Sequence, residues 1–269
     1  MTRFAIAIAA AIAAPSVATA ATVDVTVENV NGDGGFFFTP FWGAFHNGGF
    51  DSYDGGAPAS DFPGITEIAE GGDTGPISAA FAGSAAGLAG GQDFTLTAVS
   101  APGDAPVFSP GESATQSYNV ADPATNRWFS YASMVIPSND LFVANGSPTA
   151  HTLFNADGSF AGPLEILIFG SEVNDNSTEL NDADGGAAFS ALGGSDTAET
   201  GNIRNFFTVA GDADYLADFL GTDTANGATI SSTFGPNDLI ARITITPTPG
   251  AATTLMGAGL LAGMRRRRA

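Results

Sequence analysis

The chain has 269 residues, with 28 Asp and Glu against 8 Arg, no Lys and no Cys, for a net charge of −20. Without cysteine there is no disulfide framework, thiolate metal site or cysteine nucleophile, and so acidic a chain lacks the basic surface that nucleic acid requires. A hydrophobic fraction of 44% beside 35 Gly and 15 Pro predicts a real core in a loop-rich domain rather than low-complexity disorder.

Residues 1–20 begin with Arg3, continue through an apolar run to Ala14 and end on Ala18-Thr19-Ala20. That is the pattern of a signal peptide with a small-x-small cleavage site, and its apolar run is too short to span a bilayer. The expected mature domain covers residues 22–246. Val23, Val25 and Val27 alternate with Asp24, Thr26 and Glu28, which predicts a half-buried strand. Short helices are expected over 65–69 and 76–87. Phe94, Leu96 and Ala98 alternate again, and 114–120 reads as a polar edge strand. Residues 128–136 form the longest apolar run and the expected central strand. A second buried run is expected at 164–169 and a third at 202–210. A helix is expected over 213–220, and 239–246 closes the domain with Ile243 and Ile245 on one face. Turns such as Asn31-Gly32-Asp33-Gly34-Gly35 and Ser109-Pro110-Gly111 separate these elements. Many short strands with such turns predict an all-β sandwich with short helices in its loops.

Pro247 and Pro249 end the last strand because neither donates to a ladder. Residues 251–264 are apolar or small, and Arg265 to Arg268 follow, as the positive-inside rule expects of a cytoplasmic stop. This tail, 247–269, resembles the PEP-CTERM class of bacterial sorting signals. The resemblance implies transient membrane anchoring, a dedicated sorting protease and release to the envelope or extracellular matrix; a permanent tail anchor is the alternative. Set apart from its ends, the body carries three arginines against all 28 acids, a net charge of −25.

Catalytic patterns are scarce. There is no Gly-x-Ser-x-Gly, no His-Glu-x-x-His, and no lysine for a Walker loop. His46 sits among aromatics in Phe41-Trp42-Gly43-Ala44-Phe45-His46 and reads as a packed histidine; His151 reads as a loop residue. Carboxylates on loops at a strand end suit a hard divalent cation such as Ca2+, which takes six to eight oxygen ligands. An EF-hand is excluded because Asn29-x-Asn31-x-Asp33-Gly34 reaches Pro40, not Glu, at its twelfth position. Two other loops carry Asp140, directly after 128–136, and Asp175 with Glu179, shortly after 164–169. If those strands are sheet neighbours, the three carboxylates converge at one rim.

Five segments also occur in a telling order: Val25-Thr-Val-Glu-Asn-Val30, Phe36-Phe-Phe-Thr-Pro-Phe-Trp-Gly-Ala-Phe-His46, Ala69-Glu-Gly-Gly-Asp-Thr74, Phe129-Ser-Tyr-Ala-Ser-Met-Val-Ile-Pro-Ser-Asn-Asp140 and Gly146-Ser-Pro-Thr-Ala-His151. Together they resemble the bacterial members of the spondin-N family. The resemblance implies a C2-like antiparallel β-sandwich with bound calcium, held by carboxylates that fall on Asp140, Asp175 and Glu179 of this chain. Glu179 stands where the animal members carry Asp. The expectation is therefore an exported, calcium-binding, non-catalytic protein of adhesion or the extracellular matrix. The first alternative is an exopolysaccharide-binding module, with Trp42, Tyr53, Trp128 and Tyr131 as stacking rings; a carboxylate-dependent hydrolase is the second.

Overall fold

The computed structural model describes residues 20–98 and 105–248; the expected leader and the apolar, arginine-ended part of the expected sorting tail lie outside them. In chain order the elements are β1 (Ala21–Asn29), β2 (Phe37–Phe38), β3 (Phe41–His46), α1 (Ile65–Gly71), α2 (Gly75–Gly83), α3 (Ala85–Leu88), β4 (Gln92–Leu96), β5 (Ser113–Val120), β6 (Trp128–Ile136), β7 (Leu141–Ala144), β8 (His151–Thr152), β9 (Leu164–Phe169), β10 (Val173–Asp175), β11 (Arg204–Asn205), α4 (Asp212–Ala217) and β12 (Leu239–Pro247). Among the described residues no helix is long and apolar enough to cross a membrane.

Period-two patterning makes the first layer. Val23, Val25 and Val27 of β1 are buried while Asp24, Thr26 and Glu28 reach solvent. β12 repeats the pattern with Ile243 and Ile245 inside. These strands pair antiparallel in a four-stranded sheet ordered β5-β1-β12-β9. Its edge strand β5 is polar, as its sequence predicts and as an exposed edge requires. The register sets Val23 opposite Pro247, and Thr248 N donates to Thr22 O at 3.1 Å.

The facing sheet runs β11-β10-β7-β6-β3-β4, with β2 and β8 paired to the two ends of β6. β6 lies at its centre and is covered on both faces. Phe129 and Tyr131 enter the core between the sheets, and Ala132 points the other way, under α1 and α2. That double burial explains why apolar residues fall on both its faces, with Ser130 and Ser133 buried among them. β3 divides likewise, with Phe41 and Phe45 inward and Trp42 and Ala44 beneath the helices. The molecule is thus an all-β sandwich of two antiparallel sheets, with a second, smaller core where α1 and α2 cover the outer face of the larger sheet. All but one of its largest fully buried side chains are phenylalanines, the exception being Trp42. Rings meet edge to face, as at Phe36 with Phe219 and Phe234, the geometry their quadrupoles favour.

Four sequence expectations need correction. Residues 164–169 do form a strand, β9, but it is an edge strand buried on one side only. Ile166 and Ile168 are inside, whereas Leu167 and Phe169 stay 38% and 36% exposed. β6 and β9 are not sheet neighbours, because they belong to opposite sheets. The run at 202–210 contributes only the two-residue β11, followed by one 3-10 turn. The helix expected over 76–87 is two helices, broken where Ser84 leaves α2 in an extended conformation and caps α3 through its hydroxyl.

Candidate functional site

Asp140 and Asp175 come together through two strands too short to be read from sequence. Asp140 ends the turn after β6, and the chain doubles back at once as β7. β7 pairs antiparallel with β10, and the register places Leu141 opposite Asp175. The chain then turns through Asn176 and Ser177, where Ser177 adopts a φ of 56°, a left-handed conformation uncommon for a residue with a Cβ. Gly201 lies against that turn, and a Cβ there would stand 2.6 Å from the Ser177 Cβ. Thr178 to Leu180 is held by the returning segment through Glu199 N to Thr178 O (2.7 Å) and Leu180 N to Thr197 O (2.8 Å).

Asp140 is fully buried. Its Oδ2 accepts from Thr178 N at 2.8 Å, Thr178 Oγ1 at 3.3 Å and Glu179 N at 3.0 Å. Asp140 thus holds the start of the segment that carries Glu179. Burial, and next the Asp175 carboxylate, push the Asp140 pKa up to about 7 despite those donors. Glu179 is also pushed up to about 7, by burial first and then by Glu70, Asp196 and Asp140. Glu70 comes from α1 and Asp196 from the returning segment, so four carboxylates crowd one rim of the larger sheet.

Asp175 has different surroundings. Its Oδ1 accepts from Ser177 N (2.7 Å) and Ser177 Oγ (3.1 Å), and its Oδ2 from Asn181 Nδ2 (2.7 Å) and Arg204 (2.5 Å). Arg204 in turn grips Asp212 with a two-pronged fork at 2.9 and 3.1 Å. Both oxygens of Asp175 are therefore engaged, and a guanidinium already neutralises it.

Three other oxygens are buried and receive no hydrogen bond: Asp140 Oδ1, Asn176 Oδ1 and Asn181 Oδ1. They lie in two hydrogen-bonded groups that flank the Ser177 turn. Asn176 Nδ2 donates to the same Thr178 hydroxyl that serves Asp140, and Asn181 Nδ2 donates to Asp175. A buried acceptor without a donor costs roughly 1–3 kcal/mol, and more when charged. Such a group of hard oxygens matches the donor set of a calcium ion. Among the described residues no group of three or more His, Asp or Glu side chains is arranged to hold a metal. A cation here would rest on Asp140, Glu179 and amide oxygens, with Asp175 shaping the turn.

Asn176, Asn181, Arg204 and Asp212 carry no motif in the sequence. The one signal was that Arg204 is among only three cations in the body. Tyr215 completes the support: Asn139 N donates to its Oη at 2.9 Å, and the Oη donates to Asn139 Oδ1 at 2.7 Å. Tyr215→Phe leaves the buried Asn139 N–H without a partner, and a loss of about 1–3 kcal/mol is expected in urea unfolding.

His46 is fully buried. Its Nδ1 accepts from Gly48 N at 3.0 Å, which leaves Nε2–H to meet Ser130 Oγ at 2.8 Å. Burial pulls its pKa down to about 4, so it is a neutral, satisfied core histidine. Of the four rings named as stacking candidates, Trp42 lies in the smaller core and Trp128 lies under Arg127, 4.9 Å away. Tyr53 and Tyr131 share one surface cavity with His151.

Fold and site together define an all-β sandwich with a buried cluster of acceptor oxygens at the rim of its larger sheet. No family model matches the chain, and no curated protein matches it.

Proposed function

We propose that this protein is an exported, calcium-stabilised β-sandwich that acts outside a bacterial cell as a non-catalytic adhesion or matrix component. The observation that carries this reading is the set of buried oxygens around Asp140 that receive no hydrogen bond. Further support comes from the crowding of Glu70, Asp140, Glu179 and Asp196, from the leader-like start, and from the likeness of the Ser133-to-Asp140 run to spondin-N sequences. Asp140 and Glu179 would hold the ion, joined by the Asn176 and Asn181 amide oxygens. Bound calcium supplies positive charge that lets neighbouring carboxylates ionise together. Asp175, fastened to Arg204, fixes the Ser177 turn and so the approach of Glu179. The net charge of −25 in the body keeps such a domain soluble and repels like-charged copies. Transient anchoring by the tail, its removal by a sorting protease, and a matrix polysaccharide or protein as partner complete the proposal.

Thermal melting with calcium and with EDTA tests it, on wild type and Asp140→Asn. Saturation at about one hundred times Kd adds roughly 2.7 kcal/mol, which raises Tm by roughly 5–10 °C at this chain length. Wild type is expected to gain that stability and Asp140→Asn to lose most of the gain. Four equal melting points would remove calcium from the account.

A further inference from the structure

The larger sheet holds a second feature, on the side of β10 away from Asp175. Asn174 and Asp175 are successive strand residues, so their side chains leave opposite faces. On the Asn174 side is a cavity of about 430 Å3, bounded by Tyr53, Tyr131, the 145–151 loop, Glu172 and Asn205. That volume falls within the range of small-molecule sites.

Its lining chemistry is specific. No Lys or Arg borders it, and its single charged group is Glu172, so a phosphate or carboxylate would meet repulsion. Two amides are anchored by their nitrogens: Asn174 Nδ2 donates to Tyr53 Oη (3.1 Å) and Glu172 O (3.1 Å), and Asn205 Nδ2 donates to Ser171 O. Each Oδ1 is thereby fixed in orientation as an acceptor. The His151 ring lies 5.8 Å from Tyr131, tilted by 35°, and burial pulls its pKa down, so it offers one N–H and one lone pair. Tyr53 stands edge to face on Phe142, and Gly146 lets the loop approach it closely, since a Cβ there would lie 3.0 Å from the ring. The half-buried rings of Tyr53 and His151, beside fixed, uncharged acceptors and donors, match a ligand with an apolar face and a rim of hydroxyls.

We infer that this cavity is a binding site for one neutral pyranose unit of a polysaccharide. The site does not depend on the calcium reading: the two clusters share β10 but not a side chain. If it is correct, the matrix partner of the domain is a glycan.

The test is a 15N-HSQC titration of the full-length protein, in calcium and again in EDTA. The probes are glucose, galactose, mannose and N-acetylglucosamine, with glucuronate as the charged control. Saturable shifts are expected at the amides of Gly146, Ser147, His151 and Asn174 with at least one neutral sugar, and weaker ones with glucuronate, which Glu172 repels. Ala150→Trp, at an exposed position on the cavity wall, should abolish them. His151→Ala should weaken binding by about tenfold, the equivalent of one good hydrogen bond; for both variants, unchanged spectra elsewhere certify the fold. Absence of shifts at those amides with every neutral sugar overturns the inference. So does binding that survives Ala150→Trp, or a preference for glucuronate over the neutral sugars. Loss of the calcium response with sugar binding intact would remove the first proposal and leave this one standing.

Discussion

Arg204→Met is expected to destabilise the protein by about 3 kcal/mol, read as a lowered urea midpoint at unchanged slope. Removing one partner from a buried ion pair strands the other charge, and here two are stranded. Asp175 and Asp212 have side chains only 3% and 8% exposed, and Arg204 is the cation bound to both. The estimate stands at the lower end of the 3–5 kcal/mol range for such losses, because Arg204 itself is 27% exposed and water can relax into its place. Arg204→Lys should recover only part of the loss, since an ammonium cannot reproduce the planar fork on Asp212. The variant also bears on the metal. Without the guanidinium, Asp175 keeps only Asn181 on Oδ2 and its charge is no longer neutralised, so calcium should stabilise Arg204→Met by more than it stabilises wild type. An equal calcium increment in both would mean that Asp175 never reaches the ion.

The second large effect concerns pH. The folded pKa of Asp140 is raised to about 7, above the usual carboxylate value. Its contribution is therefore fully present below about pH 4 and is lost as pH rises to 7. At 1.36 kcal/mol per pKa unit this amounts to about 4 kcal/mol. The groups around it are Asp175, Glu179 with its neighbours Glu70 and Asp196, and the Tyr215 hydroxyl. His46 works in the opposite sense. Its folded pKa is lowered to about 4, so its contribution is present above about 6.5 and is lost as pH falls toward 4. The two slopes oppose each other between pH 4 and 6.5, and a wild-type curve alone would hide both. The difference between wild type and Asp140→Asn isolates the carboxylate. In EDTA, wild type should lose stability relative to the variant from pH 5 to pH 8. In calcium the difference should change sign, because a metal binds the ionised ligand. Parallel curves in EDTA would show that Asp140 is not buried as a costly charge.

Patterns governed by burial were legible in the sequence to within a residue or two. β1, β5, β6 and β12 all follow from alternation or from a long, mostly apolar run. β9 was legible in extent but not in exposure. Leu164-Glu165-Ile166-Leu167-Ile168-Phe169 is apolar enough to look two-sided, yet Leu167 and Phe169 face outward at a sheet edge. The hidden elements were β7 and β10. Four residues and three residues are too few to display a period, and Val173-Asn174-Asp175 reads as the start of a polar loop. Asp140 and Asp175 were paired in the sequence on the premise that β6 and β9 are neighbours. They meet instead because β7 and β10 pair. The roles of Asn176, Asn181 and Arg204 were beyond reach, because an amide or guanidinium shows its partner only once the chain is folded around it.

The pairing of β1 with β12 has a mechanical meaning. Val23 faces Pro247 and Thr248 reaches Thr22, so the chain enters and leaves the domain side by side. Tension applied between those two points runs along the hydrogen bonds of the ladder rather than across them, and it would open the rungs singly, like a zipper, at low force. A tether at one end alone spares that seam: load passing from the end of β12 to a grip elsewhere on the domain pulls along the strands, where many bonds must yield together.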